Sequence, residues 1–472
     1  MSIGMRLYRS SPRALQNAFV TIKGAQFRWI RASESQMLKE FRNLLITQYW
    51  SSDEFRAYQD QELTELLRTA FATVPYYQEL KQKFGCNPAD IKSVEDIKYL
   101  PLLDKATVRS MHWKFLYNGR APRFCNRAFT SGTTGSPLTV YEPRTAFSRR
   151  WSFVLRLRRW AGLHDVVQPR RAQFTGRDIV PDSRVSGAGY YWRHNHFANT
   201  LLFSTTHISK QSAPRYARAL AHFHPELIDG YPSALLALAR FAHTDGIVLP
   251  RPLAIIVSAE TLSPTARHEI EQAFQAQVFN QYASTEPSCF WCDCEYGHLH
   301  MNPEYGISEI LDENGSPALP GQAGEVVVTS FLNSAMPLIR YRLGDKAVRG
   351  PDAPCPCGRA MPRVEIVVGR TDDVLYIPGR GYVGRLDPVF KGVSHIMEAQ
   401  IVQESTDTVS VFVVPAIGFT PQIEQLLRNN ILEKIGTEIK LIIHKVDRIP
   451  RGPNGKFRAV LSKVSPSNLT GC

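Results

Sequence analysis

The 472-residue sequence predicts an α/β protein made of a large α/β part followed by a small α+β part, and three observations predict it. Short apolar runs rich in β-branched residues alternate with helical patterns through residue 350, as stacked layers of sheet and helix require. The last hundred or so residues change rhythm, with strand-type alternation around one helical stretch. The length, at about 150 residues per domain, allows two or three domains and a large core.

The elements follow in order. The first 33 residues hold Arg6, Arg9, Arg13, Lys23, Arg28 and Arg31 and no acid before Glu34. An organelle transit peptide has a similar composition. The stretch runs directly into helical pattern, however, so a basic helical docking arm over residues 1–50 is expected. Leu63, Leu66, Leu67, Ala70 and Phe71 recur at helical spacing and predict an amphipathic helix over 54–73. Val74-Pro75 ends it, because a residue before proline resists the helical conformation. Leu253–Val257 and Val326–Val328 read as strands, the first nearly continuous in apolar residues, as a strand buried on both faces would be. Val409, Val411 and Val413 mark a strand, Ile423, Leu426, Leu427, Ile431 and Ile435 a helix, and Ile439–Ile443 a further strand. The boundary is expected near Gly369-Arg370-Thr371-Asp372-Asp373, dividing the chain into domains 1–370 and 371–472.

Composition narrows the class. At 43% hydrophobic and 21% charged residues this is an ordinary water-soluble composition, without an apolar run near the ~18 residues a membrane span needs. With no secretory h-region, a cytoplasmic location is expected. The formal charge of +13 suits anionic ligands such as nucleotides, nucleic acid or an acidic membrane face, although a solvated basic surface is the plainer reading.

Thr130-Ser131-Gly132-Thr133-Thr134-Gly135-Ser136-Pro137 is the clearest chemical signal. Glycines let backbone approach a polyphosphate, and hydroxyls and amides donate to its oxygens. No Gly-Lys-Ser/Thr follows, so it is not a Walker loop. Ser258-Ala259-Glu260 follows the buried strand, at the strand end where α/β sheets bind ligands. Gln281-Tyr282-Ala283-Ser284-Thr285-Glu286 offers an aromatic face for a base, a hydroxyl, and a carboxylate for Mg²⁺. Arg340-Tyr341-Arg342-Leu343-Gly344-Asp345 offers a carboxylate that could hold ribose hydroxyls, and Arg451–Arg458 sets Lys456 on a glycine turn. Taken singly, each has a plainer reading as a surface loop, a core tyrosine or a solvated charge.

Together, their order resembles the adenylate-forming superfamily of acyl-CoA synthetases, luciferases and adenylation domains, most of all the phenylacetate–CoA ligase branch with its capsular-polysaccharide relatives. The early Val74-Pro75-Tyr76-Tyr77, Leu100-Pro101-Leu102-Leu103-Asp104-Lys105 and Gly230-Tyr231-Pro232-Ser233 add to the likeness, which spans nearly the whole chain. The resemblance implies β-sheets flanked by helices in the large domain and a small mobile C-terminal lid. It implies an enzyme that uses ATP and Mg²⁺ to turn a carboxylic acid into an acyl-adenylate, then passes the acyl group to CoA. By the same resemblance Ser131, Gly132, Thr133, Thr134 and Gly135 would form the phosphate loop, with Ser258, Ala259 and Glu260 beside the nucleotide. Tyr282 would stack on adenine, Thr285 and Glu286 would serve catalysis, and Glu286 would hold Mg²⁺. Asp345 would bind ribose, Arg370 phosphate or ribose, Asp372 would be the hinge, and Lys456 would bridge the acid and the α-phosphate. Ala283 departs from the family's usual glycine, which narrows the pocket beside it.

The cysteines bunch rather than pair. Cys294, His300, Cys355 and Cys357 offer three thiolates and one imidazole, a complete tetrahedral shell for Zn²⁺. Some members of the branch carry a similar set, which the resemblance implies is structural zinc. Cys289, Cys292 and His298 compete for these places. Trp151, Phe153 and Trp160 are candidates to line an acid pocket between Tyr141 and Ser258, with core packing the alternative. Two other functions stay in view: an adenylating enzyme with an amine or carrier-protein acceptor, and a catalytically silent nucleotide-binding protein. Nucleic-acid binding would explain the charge, but the cysteine spacing fits no classical finger and the carboxylate motifs would go unused. The oligomeric state is open, a homodimer among the options.

Overall fold

The computed structural model describes the chain apart from residues 1–2, 32, 85–86, 124, 130–137, 176–178, 182–188, 206, 210, 261, 263, 368–374, 379–380, 384–385, 391, 416–417, 448, 450–459 and 465–472. Three helices form the basic arm: α1 (Ile3–Ser10), α2 (Arg13–Arg31) and α3 (Glu34–Thr47). Helix α4 (Ser52–Thr73) starts two residues before the expected position. Ser51 caps it, accepting from the Glu54 amide while the Glu54 carboxylate accepts from the Ser51 amide at 2.8 Å. It stops at an extended Val74, and Pro75 begins α5 (Pro75–Phe84). Helix α6 (Lys105–Ser110) and the hairpin of β1 (Cys125–Phe129) and β2 (Thr139–Pro143) lead to α7 (Arg144–Trp160).

A twelve-stranded sheet dominates the molecule. Its first half contains β3 (Arg171–Thr175), β4 (Trp192–Asn195), β5 (Thr200–Ser204), β6 (Leu227–Gly230), β7 (Ala254–Ser258) and β8 (Val278–Ala283). Helices α8 (Ala213–Phe223), α9 (Pro232–Thr244) and α10 (Pro264–Phe274) are the crossovers. Strands β5, β3, β6, β7 and β8 run parallel. The second half is antiparallel: β9 (Phe290–Asp293), β10 (Leu299–Met301), β11 (Gly306–Leu311), β12 (Ala323–Ser330), β13 (Tyr341–Arg349) and β14 (Arg363–Val367). Parallel pairing ends at β8, whose other neighbour β9 turns back on it.

Alternate side chains of the parallel strands enter two different cores. Ile228, Ile255, Val257 and Val278 pack under α8, α9 and α10. Leu227, Ala254, Ile256 and Phe279 pack on the opposite face with residues of α3 and α7. Both faces are covered over Ala254–Val257, which carries no polar residue, while Leu253, expected in the strand, precedes it and is 56% exposed.

The C-terminal residues build a separate sheet and core. The pair β15 (Leu375–Ile377) and β16 (Gly381–Val383) precedes β17 (Ile396–Gln403), β18 (Thr408–Pro415), α11 (Pro421–Ile435), β19 (Lys440–Lys445) and β20 (Val460–Ser462), with sheet order β19-β18-β17-β20. Val409, Val411, Val413, Leu427, Ile431 and Ile435 meet in its core, as their periodicities predict.

The arm is packed rather than free. Helix α2 lies on β4, the edge strand of the large sheet, where Arg193 donates to Gln16 at 2.5 Å and the His194 amide to Asn17 at 3.0 Å. Covering an edge strand hides backbone groups that would otherwise recruit another chain. Helix α3 is held by the fully buried Arg156 of α7, which donates to Glu304 at 2.6 Å, Asn302 at 2.5 Å and the Leu44 carbonyl at 3.3 Å. Thr47 also donates to Glu304, at 2.8 Å. A buried pair that loses one partner typically costs about 3–5 kcal/mol, because the remaining charge is uncompensated. Arg156→Met should therefore lower unfolding stability by about that amount. Denaturant melts of the two proteins at equal m-value check this, and a loss below about 1 kcal/mol would show that Glu304 finds another partner.

Candidate active site and metal centre

The carboxyl ends of β7 and β8 open into a cleft of about 1060 Å³. At the end of β7, Ala259 takes a left-handed backbone with φ 71°, which turns the chain out of the sheet. Glu260 then reaches the start of α9, where its carboxylate accepts from the Ser233 amide at 3.0 Å. An acid at a helix N-terminus meets unpaired amides and the positive end of the dipole. The Gly230–Ser233 and Ser258–Glu260 motifs are thus one structural unit.

At the end of β8 the chain turns through Ser284-Thr285-Glu286, with Thr285 exposed to the cleft and Glu286 buried. The Ser284 hydroxyl accepts from the Ser288 amide at 3.0 Å and fixes the turn. One Glu286 oxygen, Oε1, accepts from Lys105 Nζ at 2.9 Å and from the Tyr341 hydroxyl at 3.1 Å. Strand β13 carries both Tyr341 and Asp345, with a register shift against β12 and a left-handed Gly344 (φ 80°) between them. Asp345 accepts the Tyr282 hydroxyl at 2.8 Å. Burial, then the nearby Cys289 and Asp345, pushes the Tyr282 phenol well above its usual range, so it stays a donor. The Tyr282 ring packs on Trp291, centroids 4.7 Å apart.

Lys105 and Tyr341 were not picked out as site residues by sequence. The available signal was a lone lysine ending Leu100-Pro101-Leu102-Leu103-Asp104-Lys105. Its placement comes from backbone pairing: the Leu103 amide donates to the Arg340 carbonyl, and the Arg342 amide to the Leu103 carbonyl, each at 2.9 Å. Asp104 caps α6 through the Thr107 amide at 2.7 Å and aims the next residue inward.

Of the expected site residues, Ala259, Glu260, Tyr282, Thr285, Glu286 and Asp345 line the cleft, and Ser258 ends the strand beneath it. Ser131–Gly135, Arg370, Asp372 and Lys456 lie outside the described residues. The aromatic residues expected beside an acid are core instead. Phe153 packs on Phe290 and Tyr305, Trp160 donates to Gln48 at 2.6 Å, and Trp151 stacks on Phe147. Helix α7 turns these rings toward α3 and β9, and none of the cleft lining comes from residues 141–258.

Beside the cleft, Cys294, His300, Cys355 and Cys357 bring one donor atom each to within 4.8 Å of one another, all buried. Cys294 follows β9, His300 sits on β10, and Cys355-Pro356-Cys357-Gly358 turns tightly before β14. The Gly358 amide closes that turn on the Cys355 carbonyl at 3.0 Å with φ 76°, a backbone suited to glycine. The Cys294 and Cys355 sulfurs are 3.9 Å apart, and Cys357 Sγ is 3.5 Å from His300 Nε2. A tetrahedron with bonds of 2.0–2.3 Å sets its ligand atoms about 3.5–3.8 Å apart, so the donor set fits Zn²⁺. His300 Nδ1 lies 3.1 Å from the Met361 carbonyl, which leaves Nε2 toward the thiols. His298 stands next to the group, 3.2 Å from Cys355 Sγ. Cys289 and Cys292 are outside it, and burial raises both thiols, Cys292 to about 12, which keeps them neutral core residues.

Burial lowers His300 to about 4. A histidine depressed below its ordinary 6.5 contributes stability that is present above pH 6.5 and is lost as pH falls toward 4. Chelator-stripped protein should therefore lose up to about 3 kcal/mol of stability between pH 7 and pH 4 from this group. Urea midpoints along that range, compared between the parent chain and His300→Asn, check it. Parallel pH profiles in the two proteins would refute the assignment.

The chain is similar to several known proteins. The model of the CapK C-terminal domain family matches residues 375–463. Over the whole chain, Protein CapK of Staphylococcus aureus is 27% identical across 475 aligned residues, covering 97% of this chain and 99% of that protein. A phenylacetate-coenzyme A ligase of Thermus thermophilus is 25% identical, covering 87% of this chain and 96% of that enzyme. A crystal structure of 2-hydroxyisobutyryl-CoA ligase in complex with 2-HIB-AMP and CoA superposes with a TM-score of 0.59 at 20% identity, covering 88% of this chain and 91% of that one.

Proposed function

With the fold that of the adenylate-forming ligases, we propose that this chain is an AMP-forming ligase that activates a carboxylic acid with ATP and transfers the acyl group to CoA. One observation carries the reading. The Tyr282 ring and Glu286 carboxylate of one motif and the Asp345 carboxylate, 63 residues beyond Tyr282, converge on one cleft at the carboxyl ends of parallel strands. That is where a nucleotide binds in such a sheet.

In this reading Tyr282 offers its ring to adenine, held at the correct height by its bond to Asp345. Asp345 accepts the ribose hydroxyls, and Ser131–Gly135 donate to the phosphates. Arg370 contacts phosphate or ribose. The acid's oxygen attacks the α-phosphorus, pyrophosphate leaves, and a mixed anhydride of acid and AMP remains. Both reactants are anionic, so orientation and charge compensation make up most of the catalysis. Mg²⁺, when bound, would neutralise phosphate charge, with Glu286 to hold it and Thr285 beside it serving catalysis. Lys456, on the small domain, bridges the acid and the α-phosphate. The chain divides at 370/371, and the lid then turns about Asp372 so that a thiolate can attack the acyl carbon and release AMP. The start of the family match at residue 375 supports that boundary.

A second reading is transfer to an amine or a carrier protein. Pyrophosphate release screened over aryl, acyl and amino acids, with and without CoA, tests both. Acid-dependent release with a CoA-dependent product supports the first reading, and release indifferent to CoA the second. No release with any acid would leave a silent nucleotide-binding protein.

If Lys456 faces the cleft only while adenylate forms, Lys456→Ala should slow that step by roughly a hundred- to a thousand-fold. Transfer from preformed acyl-adenylate should stay near normal. Single-turnover rates of the two half-reactions measure this, and equal losses in both would remove the rotating lid from the mechanism.

We further propose that Cys294, His300, Cys355 and Cys357 hold a structural zinc, since four protein ligands leave no open position for chemistry. Purified protein should contain about one zinc per chain. Cys357→Ser should lose the metal and stability while any folded fraction keeps its adenylation rate. Metal-free protein of unchanged stability would overturn the assignment.

A further inference from the structure

The counter-charge of Glu286 leaves half of its carboxylate unused. Elsewhere in the molecule Glu142, Glu304 and Glu309 each meet an arginine, and each time the guanidinium takes both carboxylate oxygens. A planar fork of donors closes a carboxylate in this way. Glu286, 6% exposed, is held differently. Lys105 Nζ and the Tyr341 hydroxyl both bond Oε1, at 2.9 and 3.1 Å. Its other oxygen, Oε2, accepts from no described residue. Lys105 and Glu286 both line the cleft, so the unused oxygen belongs to the wall of the nucleotide site.

An unshared carboxylate oxygen is a hard donor of the kind Mg²⁺ takes, so the site fits that cation by its chemistry. Such a cation gives up water reluctantly and is held through one or two carboxylates together with the phosphates of a substrate. With no nucleotide present, the Glu286 charge is already matched by the Lys105 ammonium. A fixed positive charge on the same carboxylate opposes the arrival of a second one. Phosphates reverse the balance, because they bring negative charge and further oxygen ligands together. An arginine in place of Lys105 would supply the same charge but could also cover Oε2. A lysine supplies the charge from a single point and leaves that oxygen open.

We propose that Lys105 is a positioning residue that makes metal entry depend on the nucleotide. It neutralises Glu286 while the cleft is empty and keeps Oε2 available, so that the divalent cation enters only together with the phosphates. This rests on the reading of Glu286 as the holder of Mg²⁺.

Mn²⁺ prefers the same oxygen ligands as Mg²⁺, and its free form is counted by electron paramagnetic resonance, so it serves as the probe for the full-length protein. Without nucleotide, the parent chain should bind it weakly. Lys105→Met should bind it at least about tenfold more tightly, the low end of what a unit charge 4–6 Å away does to a carboxylate. Lys105→Gln, which keeps a donor for Oε1 and loses only the charge, should show the same gain if Lys105→Met folds poorly. The gain should vanish in Lys105→Met/Glu286→Gln, and Lys105→Arg should bind as weakly as the parent. In the parent chain, Mg²⁺ with ATP should raise the melting temperature and Mg²⁺ alone should not. Equal nucleotide-free affinity in the parent and both uncharged variants would overturn the proposal. So would a gain that persists without Glu286, or a parent chain stabilised as much by Mg²⁺ alone as by Mg²⁺ with ATP. The underlying reading fails separately: Glu286→Gln with an unchanged Mg²⁺ requirement for pyrophosphate release would remove Glu286 as the metal holder. The Mn²⁺ titration needs no turnover, so it decides the role of Lys105 even if no acid gives release.

Discussion

A carboxylate buried in a cleft wall needs compensation, and the architecture of this site follows from how Glu286 obtains it. Lys105 and the Tyr341 hydroxyl converge on one of its oxygens from segments 181 and 55 residues away. Neither partner could arrive without the pairing of Leu103 against Arg340 and Arg342, which ties the segment before α6 to β13. Once β13 is fixed there, it also brings Asp345 within reach of the Tyr282 hydroxyl. The requirement to satisfy one acid thus aligns three of the motifs.

The cluster of Cys294, His300, Cys355 and Cys357 stands on the same scaffold. Strands β9 and β10, with the turn between them, supply Cys294 and His300, and that turn also contributes Gly297 and His298 to the cleft lining. The Cys355–Cys357 turn reaches them because β14 pairs with β10. A bond set that cross-links these two turns would stiffen one wall of the cleft without entering the chemistry. In the same core, where α3 and α7 pack with Cys294, Cys355 and Cys357, Arg156 and Glu304 join α7, α3 and the segment ahead of β11.

Much of this was legible in the sequence. Runs such as Leu253–Val257 announced strands covered on both sides, because removing every polar residue is tolerated only where no face meets water. Val74-Pro75 announced a helix end, and the capping chemistry of Ser51 and Glu54 moved its start only two residues from the expected position. The Cys and His donors were recognisable because few side chains bind a metal and their number completed a tetrahedral shell. For the aromatic residues of α7 the sequence left pocket lining and core packing both open, since a ring at helical spacing has the same sequence signature whether it faces a ligand or another helix, and they pack in the core.

What the sequence determined by itself was therefore local: where chains bend, which faces are apolar, and which side chains carry usable chemistry in which order. Only the tertiary structure decided the partnerships. It separated Cys294 and Cys355 from the equally cysteine-rich positions Cys289 and Cys292, which face the core. It made Lys105 the counter-charge of Glu286, and it turned one face of the basic arm against β4 while leaving Leu15 and Ile22 exposed. The physical reason is the same in each case. Contacts between distant segments depend on strand order and register, and neither is encoded in the periodicity of any single segment.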